Sequence, residues 1–168
     1  QAAGAEVVEV TLRLRSCTSD DGSRRSCCGP DAAGMAARVA AQLGIRHYVL
    51  DCAALFEREV LWPCWQQFAA GRTPNPCVWC NARVRFPKLL EFAQDLGAAA
   101  VATGHYARLD AALAPSLLRR GVDPRKDQSY FLYAVDARLL PWLRFPLGGL
   151  LKTEVRADLR ARGLVNAE

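Results

Sequence analysis

Apolar positions first alternate and then fall into helical spacing along this chain. Residues 6–14, EVVEVTLRL, set Val8, Val10, Leu12 and Leu14 on one face at period two, which predicts a strand. Residues 15–30 are polar and turn-rich and read as a loop. From 31 to 43, Met35, Val39 and Leu43 recur at helical spacing, with Gly44 as the stop. HYVLDC (47–52) predicts a short buried strand, and 53–70 a helix kinked or broken at Pro63 and ended by Gly71. A helix over 82–96 stops at Gly97, and the apolar 98–103 reads as a strand. Residues 106–109 and 116–120 suit a small hairpin, 121–135 a turn leading into a helix, and 152–163 an amphipathic helix. The alternation β-α-β-α-α-β predicts an α/β fold, an open and mostly parallel sheet with helices on both faces. Ligands of such sheets gather at the carboxyl ends of the strands. Three polar stretches leave those ends: 15–30, the region past Asp51, and Thr103-Gly104-His105.

Composition narrows the class. The 168 residues are 51% hydrophobic and 23% charged, enough for one ordinary domain with a real core. No apolar run approaches the ~18 residues of a membrane span, and QAAGAEVVEV lacks the features of a signal peptide, so a cytoplasmic home is expected (organellar if eukaryotic). The start lacks Met and reads as a helix end running into a strand, which predicts an internal fragment. A net charge of +5 suits either basic residues spread over solvated faces or a polyanionic partner. Seven cysteines, an odd number, argue against a disulfide framework and leave metal binding, an iron–sulfur cluster or thiol chemistry. Cys52 and Cys64 lie in apolar stretches and read as core, whereas Cys17, Cys27 and Cys28 lie in the polar loop.

The stretch TPNPCVWCN (73–81) carries the strongest candidate chemistry. Pro74 and Pro76 fix their own φ and hold Thr73 and Asn75 out of helical geometry, so a stiff elbow presents Cys77 and Cys80. A C-x-x-C can be half of a zinc site, with Cys27 and Cys28 as further ligands, a redox pair, or a nucleophile with a neighbour. A helix beginning near Asn81, with Arg83 and Arg85 within a turn, would lower a thiol from its ordinary value of about 8.5, and Cys80 is the better placed. In ATGHYAR (102–108), Gly104 lets a ligand near the backbone and His105 can donate to an anion; a tight turn with a surface histidine is the plainer reading. In RKDQSYF (125–131), Lys126 suits a phosphate and Gln128 a base or sugar edge, while the spacing of Asp127 favours a helix cap.

Taken jointly and in order, GRTPNPCVWCNARVRF, LGAAAVATGHYAR, RRGVDPRKDQSYFLY and FPLGGLLKTEVR resemble the tRNA-specific 2-thiouridylases, and the early GAEVVEVTLRL and SCCGPDAAGMAARVAAQLGI segments are similar too. The resemblance implies an adenine nucleotide alpha hydrolase-like, PP-loop ATPase fold, with a catalytic domain over 1–135 and the start of a helical region over 136–168. It also implies adenylation of the wobble uridine C2 oxygen by ATP with Mg2+, then replacement of that oxygen by sulfur from a cysteine persulfide. Cys80 matches the nucleophile, Leu12 and Gly104 the nucleotide contacts, Asn75, Pro76 and Cys77 the target-base contacts, and His105, Lys126, Asp127 and Gln128 the tRNA contacts. The implied partners are tRNA and a sulfur-relay protein or cysteine desulfurase, with no membrane. A disulfide bond belongs to the same family picture. Cys77 and Cys80 are also candidate ligands of a [4Fe–4S] cluster. The family's S-G-G-x-D-S-S loop, second cysteine and C-terminal barrel have no counterpart in the 168 residues, so a chain inactive by itself is expected. The rival readings are a non-catalytic tRNA-binding remnant and a structural zinc module.

Overall fold

The computed structural model describes residues 4–15, 30–110 and 116–164. The predicted polar loop with Cys17, Cys27 and Cys28 lies outside them, and with it the zinc ligand set those cysteines would complete. The protein is mixed α/β and forms two compact units. One comprises the described residues up to Phe56 together with those from Arg156 onward; the other is Glu57–Val155.

In the first unit, β1 (Val8–Arg13) pairs in parallel with β2 (Arg46–Asp51), from Val8 opposite Arg46 to Arg13 opposite Asp51. A parallel pair needs a crossover, and α1 (Pro30–Leu43) supplies it. Leu12 and Leu14 are buried as the alternation predicts, and Ala40 is the buried residue of α1. Leu43, expected on the covered face, is 43% exposed, because it stands in the last helical turn beside the reversal at Gly44. At the carboxyl end of the pair, Arg13 and Asp51 form an ion pair of 2.6 Å.

The helical stretch predicted for 53–70 runs as α2 (Ala53–Phe56), a π-helical segment (Glu57–Leu61) and α3 (Trp62–Ala69). The elbow leads into α4 (Pro76–Cys80), a second π-helical segment (Asn81–Arg85) and α5 (Phe86–Asp95). Each π segment directly precedes a helical proline, Pro63 or Pro87. A proline has no N–H to offer the carbonyl four residues back, and its ring crowds that carbonyl. At Pro63 the deprived carbonyl is that of Glu59, and the Arg83 guanidinium donates to it at 3.2 Å. The two prolines thus explain both irregularities, and one arginine repairs the first.

The remaining strands are short. β3 (Val101–Ala102) pairs in parallel with β6 (Leu143–Arg144), and β4 (Ala107–Asp110) forms the predicted hairpin with β5 (Leu117–Arg120). Among the described residues the strands thus form three two-stranded sheets where one open sheet was expected. The run Ala98–Ala100 stays out of β3, since alanine brings little side chain to a pleated, half-buried surface. The helix expected within 121–135 is absent. Asp123 and Asp127 take backbone N–H groups locally, which competes with helix formation, and only a 3-10 turn, Ser129–Leu132, survives. A second 3-10 helix, Ala137–Trp142, and α6 (Lys152–Ala161) complete the chain. No helix among the described residues is long and apolar enough to cross a membrane.

Phe86, Leu90, Ala107, Leu132, Val135, Leu140 and Leu143 form one hydrophobic cluster of the second unit. Two glycines let backbone segments meet beside it. A Cβ at Gly148 would collide with the carbonyl oxygen of Ala107, and one at Gly121 would lie 2.6 Å from that of Tyr106.

Candidate functional site

The elbow holds a helix start, but one turn earlier than the sequence suggests. Asn75 is extended, with φ −107° and ψ 100°, and its Oδ1 accepts from the N–H of Cys77 at 3.1 Å and of Val78 at 3.4 Å. Pro76 occupies the first helical turn, where its missing N–H costs nothing. The Asn-Pro pair is therefore a cap, and the helix begins at Pro76 and not near Asn81. This corrects the placement of the thiols. Cys77 lies in the exposed first turn, at the positive end of the helix, whereas Cys80 lies at the end of α4 and is only 7% exposed. Val78, Cys80, Asn81 and Val84 are buried; Cys77 shares their side by helical spacing but stands in the first turn, beside the Asn75 cap, where it is exposed.

Asn81 is buried at 5%, and its Nδ2 donates to the carbonyl of Phe131 at 3.1 Å. The thiol-bearing helix is thus tied to the 3-10 turn Ser129–Leu132. Next to it, Arg83 stacks on Trp79, its guanidinium carbon 4.5 Å from the ring centre. Cys64, buried on α3, has its thiol pushed up by burial, against a smaller opposing effect of Arg83.

The corner after β3 differs from the anion-donor expectation for His105. Its ring packs against Phe86 (5.6 Å between centres) and Phe145 (5.9 Å), and Nδ1 is 2.8 Å from Thr103 Oγ1. Burial, helped by Arg85, brings its pKa down to about 4, so the imidazole is neutral at physiological pH. It can still hydrogen-bond but carries no charge to an anion. Gly104 is exposed, and a side chain there would meet only Leu147 Cδ1, at 3.7 Å. A nucleotide can approach the main chain at this point, which fits ATP. Leu12, in the first unit, is buried at 9% exposure.

Within Lys126-Asp127-Gln128 the three side chains divide between scaffold and solvent. Asp127 accepts from the N–H of Gly121 (2.8 Å), from the N–H and Oγ of Ser129 (3.2 and 2.9 Å) and from Arg120 Nε (3.3 Å). Burial raises its pKa, but the hydrogen bonds together outweigh burial and hold the carboxyl below the usual range. The side chain of Gln128 accepts from the N–H of Tyr106 at 3.0 Å, while its own N–H donates to the Tyr106 carbonyl at 2.9 Å. Lys126 remains exposed. The cap expected at Asp127 is in fact a clasp across the 121–129 turn. Asp123, which the sequence reading passed over, is 8% exposed and takes the N–H groups of Arg125 and of Lys152, thereby capping α6. An Asp-Pro pair ahead of a polar turn was the available signal.

The geometry therefore groups Asn75, Pro76 and Cys77 at one helix start and ties that helix to the 126–131 segment, which meets the Tyr106 backbone beside Gly104 and His105. Among the described residues no three Cys, His, Asp or Glu side chains form a metal-holding group, so Cys77 and Cys80 lack a third cluster ligand here. Cys52, Cys64, Cys77 and Cys80 are not disulfide-bonded, so the disulfide of the family picture is not found among them.

Comparison with known proteins covers the whole chain. The family model described as tRNA methyl transferase HUP domain matches residues 1–168. Proteins named tRNA-specific 2-thiouridylase MnmA are similar: that of Thermus thermophilus is 48% identical over 172 residues, covering 98% of this chain and 46% of the relative. The Deinococcus radiodurans protein is 43% identical over 166 residues (98% and 44%), and the Sorangium cellulosum protein 47% over 166 residues (99% and 43%). The chain spans less than half the length of these relatives. With every residue inside the family match, a Rossmann-like α/β fold and the capped elbow in place, the chain belongs to the tRNA methyl transferase HUP domain family.

Proposed function

We propose that this chain is the nucleotide- and tRNA-binding part of a tRNA 2-thiouridylase, which exchanges the C2 oxygen of a wobble uridine for sulfur. ATP adenylates that oxygen with release of pyrophosphate, and attack of sulfur at C2 then expels AMP. The attacking atom is the outer sulfur of a cysteine persulfide charged by a relay protein or a cysteine desulfurase. The Cys80 thiolate then attacks the inner sulfur and breaks the S–S bond, so that sulfur stays on C2, and an external thiol reduces the disulfide that results. Asn75, Pro76 and Cys77 hold the extruded base on a helix start whose conformation is set before tRNA arrives, so little ordering cost falls on the encounter. Cys80 is the nucleophile in this reading, and tRNA binding must uncover it. Gly104 offers main chain to the nucleotide, Leu12 is a nucleotide contact by family likeness on its own unit, and His105 and Lys126 meet tRNA. Asp127 and Gln128 serve the same surface by fixing its turn.

The observation that carries this reading is the Asn-capped, proline-braced helix that displays one thiol and holds a second one turn along, in a chain matched over its full length. Methyl transfer appears in the description of the family model and 2-thiolation in the names of the similar proteins; this reading follows the latter. The test is genetic and chemical. The full-length gene containing this chain should restore 2-thiouridine to the tRNA of a strain that lacks it, scored by nucleoside mass spectrometry. Cys80→Ala should abolish that recovery and Cys77→Ala should leave a measurable fraction. Full recovery with Cys80→Ala would remove Cys80 from the mechanism, and no recovery with the intact gene would end the proposal.

A further inference from the structure

The segment 125–133 presents to solvent something other than the Asp-Gln chemistry its sequence advertises. Asp127 and Gln128 are engaged inside the turn through the hydrogen bonds described above. Exposed around them are Arg125, Lys126, Tyr130 (63%) and Tyr133 (65%). The two tyrosine rings lie 5.7 Å apart at 50° to each other, so neither ring lies flat on the other. Phe131 braces Tyr130 edge-on at 5.8 Å. The exposed charge on this strip is cationic: Asp127 is engaged inside the turn, and Asp123, on whose carboxyl Arg125 and Lys126 act, is buried. Arg119 and Arg120 are paired with Asp110 and Asp127, whereas Arg125 and Lys126 join no ion pair among the described residues. Aromatic rings that stay wet beside unpaired cations are the surface on which unpaired nucleobases stack and phosphates settle.

We propose that Tyr130 and Tyr133 form a stacking platform for unpaired bases of the RNA substrate, with Arg125 and Lys126 on the adjoining phosphates. This rests on the tRNA reading above and assigns to it three contact residues outside Lys126-Asp127-Gln128: Arg125, Tyr130 and Tyr133. The platform is mechanically joined to the thiol helix. Asn81 holds the carbonyl of Phe131, between the two tyrosines, so a loop seated on the rings is registered against the helix that carries Cys77 and Cys80. A stacked base is sequence-tolerant, since every base has a π-face; the platform orients the loop, and the elbow selects the uridine.

The experiment measures binding of a fluorescein-labelled anticodon stem–loop RNA to this chain by anisotropy across a salt series, with an unlabelled blunt RNA duplex as competitor. Tyr130→Ala and Tyr133→Ala should each raise Kd about fivefold to a hundredfold, as expected for losing one stacked base. Tyr130→Phe and Tyr133→Phe, which keep the ring, should stay within about twofold of wild type. The salt slope should persist in the tyrosine variants and drop by about 0.7 in Lys126→Ala. Duplex should compete poorly. Unchanged Kd in both alanine variants, or equal competition by duplex, would overturn the platform while leaving tRNA as substrate. No binding of either RNA by wild type, even at low salt, would instead remove the tRNA reading and the platform together. Loss in the phenylalanine variants as large as in the alanine ones would assign the effect to the hydroxyls and also overturn stacking.

Discussion

Cys77 and Cys80 lie three residues apart yet live in different environments, and the difference is measurable. Alkylation by iodoacetamide follows access as well as thiolate content, so Cys77 should be modified well before Cys80 in the free protein, as read by peptide mass spectrometry. Equal rates would show that Cys80 is not covered. His105 gives a second residue-scale outcome. Its folded pKa of about 4 lies below the ordinary 6.5, so folding favours the neutral ring. That stability is complete above 6.5 and is lost as pH falls from there through about 4. His105→Phe keeps a ring between Phe86 and Phe145 but cannot take up a proton. Its urea midpoint should therefore fall less than that of wild type between about pH 7 and about pH 4.5. A parallel decline would show that this ring is not a source of acid sensitivity.

The elements themselves were legible where periodicity or punctuation was strong. EVVEVTLRL read as β1 because its branched residues alternate, and Gly44, Gly71 and Gly97 were named as helix stops and all have positive φ. What escaped depends on contacts distant in sequence. β6 is two residues long and exists only because Val101 and Ala102 offer it edges to pair with. The sequence places the start of the thiol helix near Asn81, whereas Asn75 is itself the cap and α4 begins at Pro76, because the cap depends on an Asn75 side-chain contact to Cys77 and Val78. The FPLGGLLKTEVR string was recognised as belonging to a family, but nothing in it revealed that Gly148 abuts the Ala107 carbonyl. Gly148→Ala should cost at least about 3 kcal/mol, since backbone must shift to admit the methyl. For a domain of this size that lowers Tm by roughly 6–12 °C. Gly149→Ala, with nothing within 4 Å of the added carbon, is the matched control and should change Tm little.

At the scale of the molecule, the net charge of +5 takes on meaning only with position. Several arginines are spent on local ion pairs, such as Arg13 with Asp51, Arg119 with Asp110 and Arg138 with Asp136, and these exposed pairs contribute little to stability. Because only Arg125 and Lys126 stand outside ion pairs on the 125–133 strip, among the described residues, RNA bound there should lose affinity with salt by a slope of only about 1 to 2, far below that of a protein gripping a duplex along its length. A steeper slope would mean a larger electrostatic footprint than this strip supplies. The family and its α/β class could be read from ordered strings, since motif order survives without coordinates. The division of labour inside Lys126-Asp127-Gln128 could not, because it turns on which side chains the Tyr106 and Gly121 backbones claim.

The tight seat of Gly148 carries a warning for any mutational survey of this protein. Substitutions there should lower any activity of the protein through loss of folded chain, because an added side chain collides with the Ala107 carbonyl. Soluble yield has to be scored beside activity, or the survey will draw a glycine into the chemistry that it only makes room for.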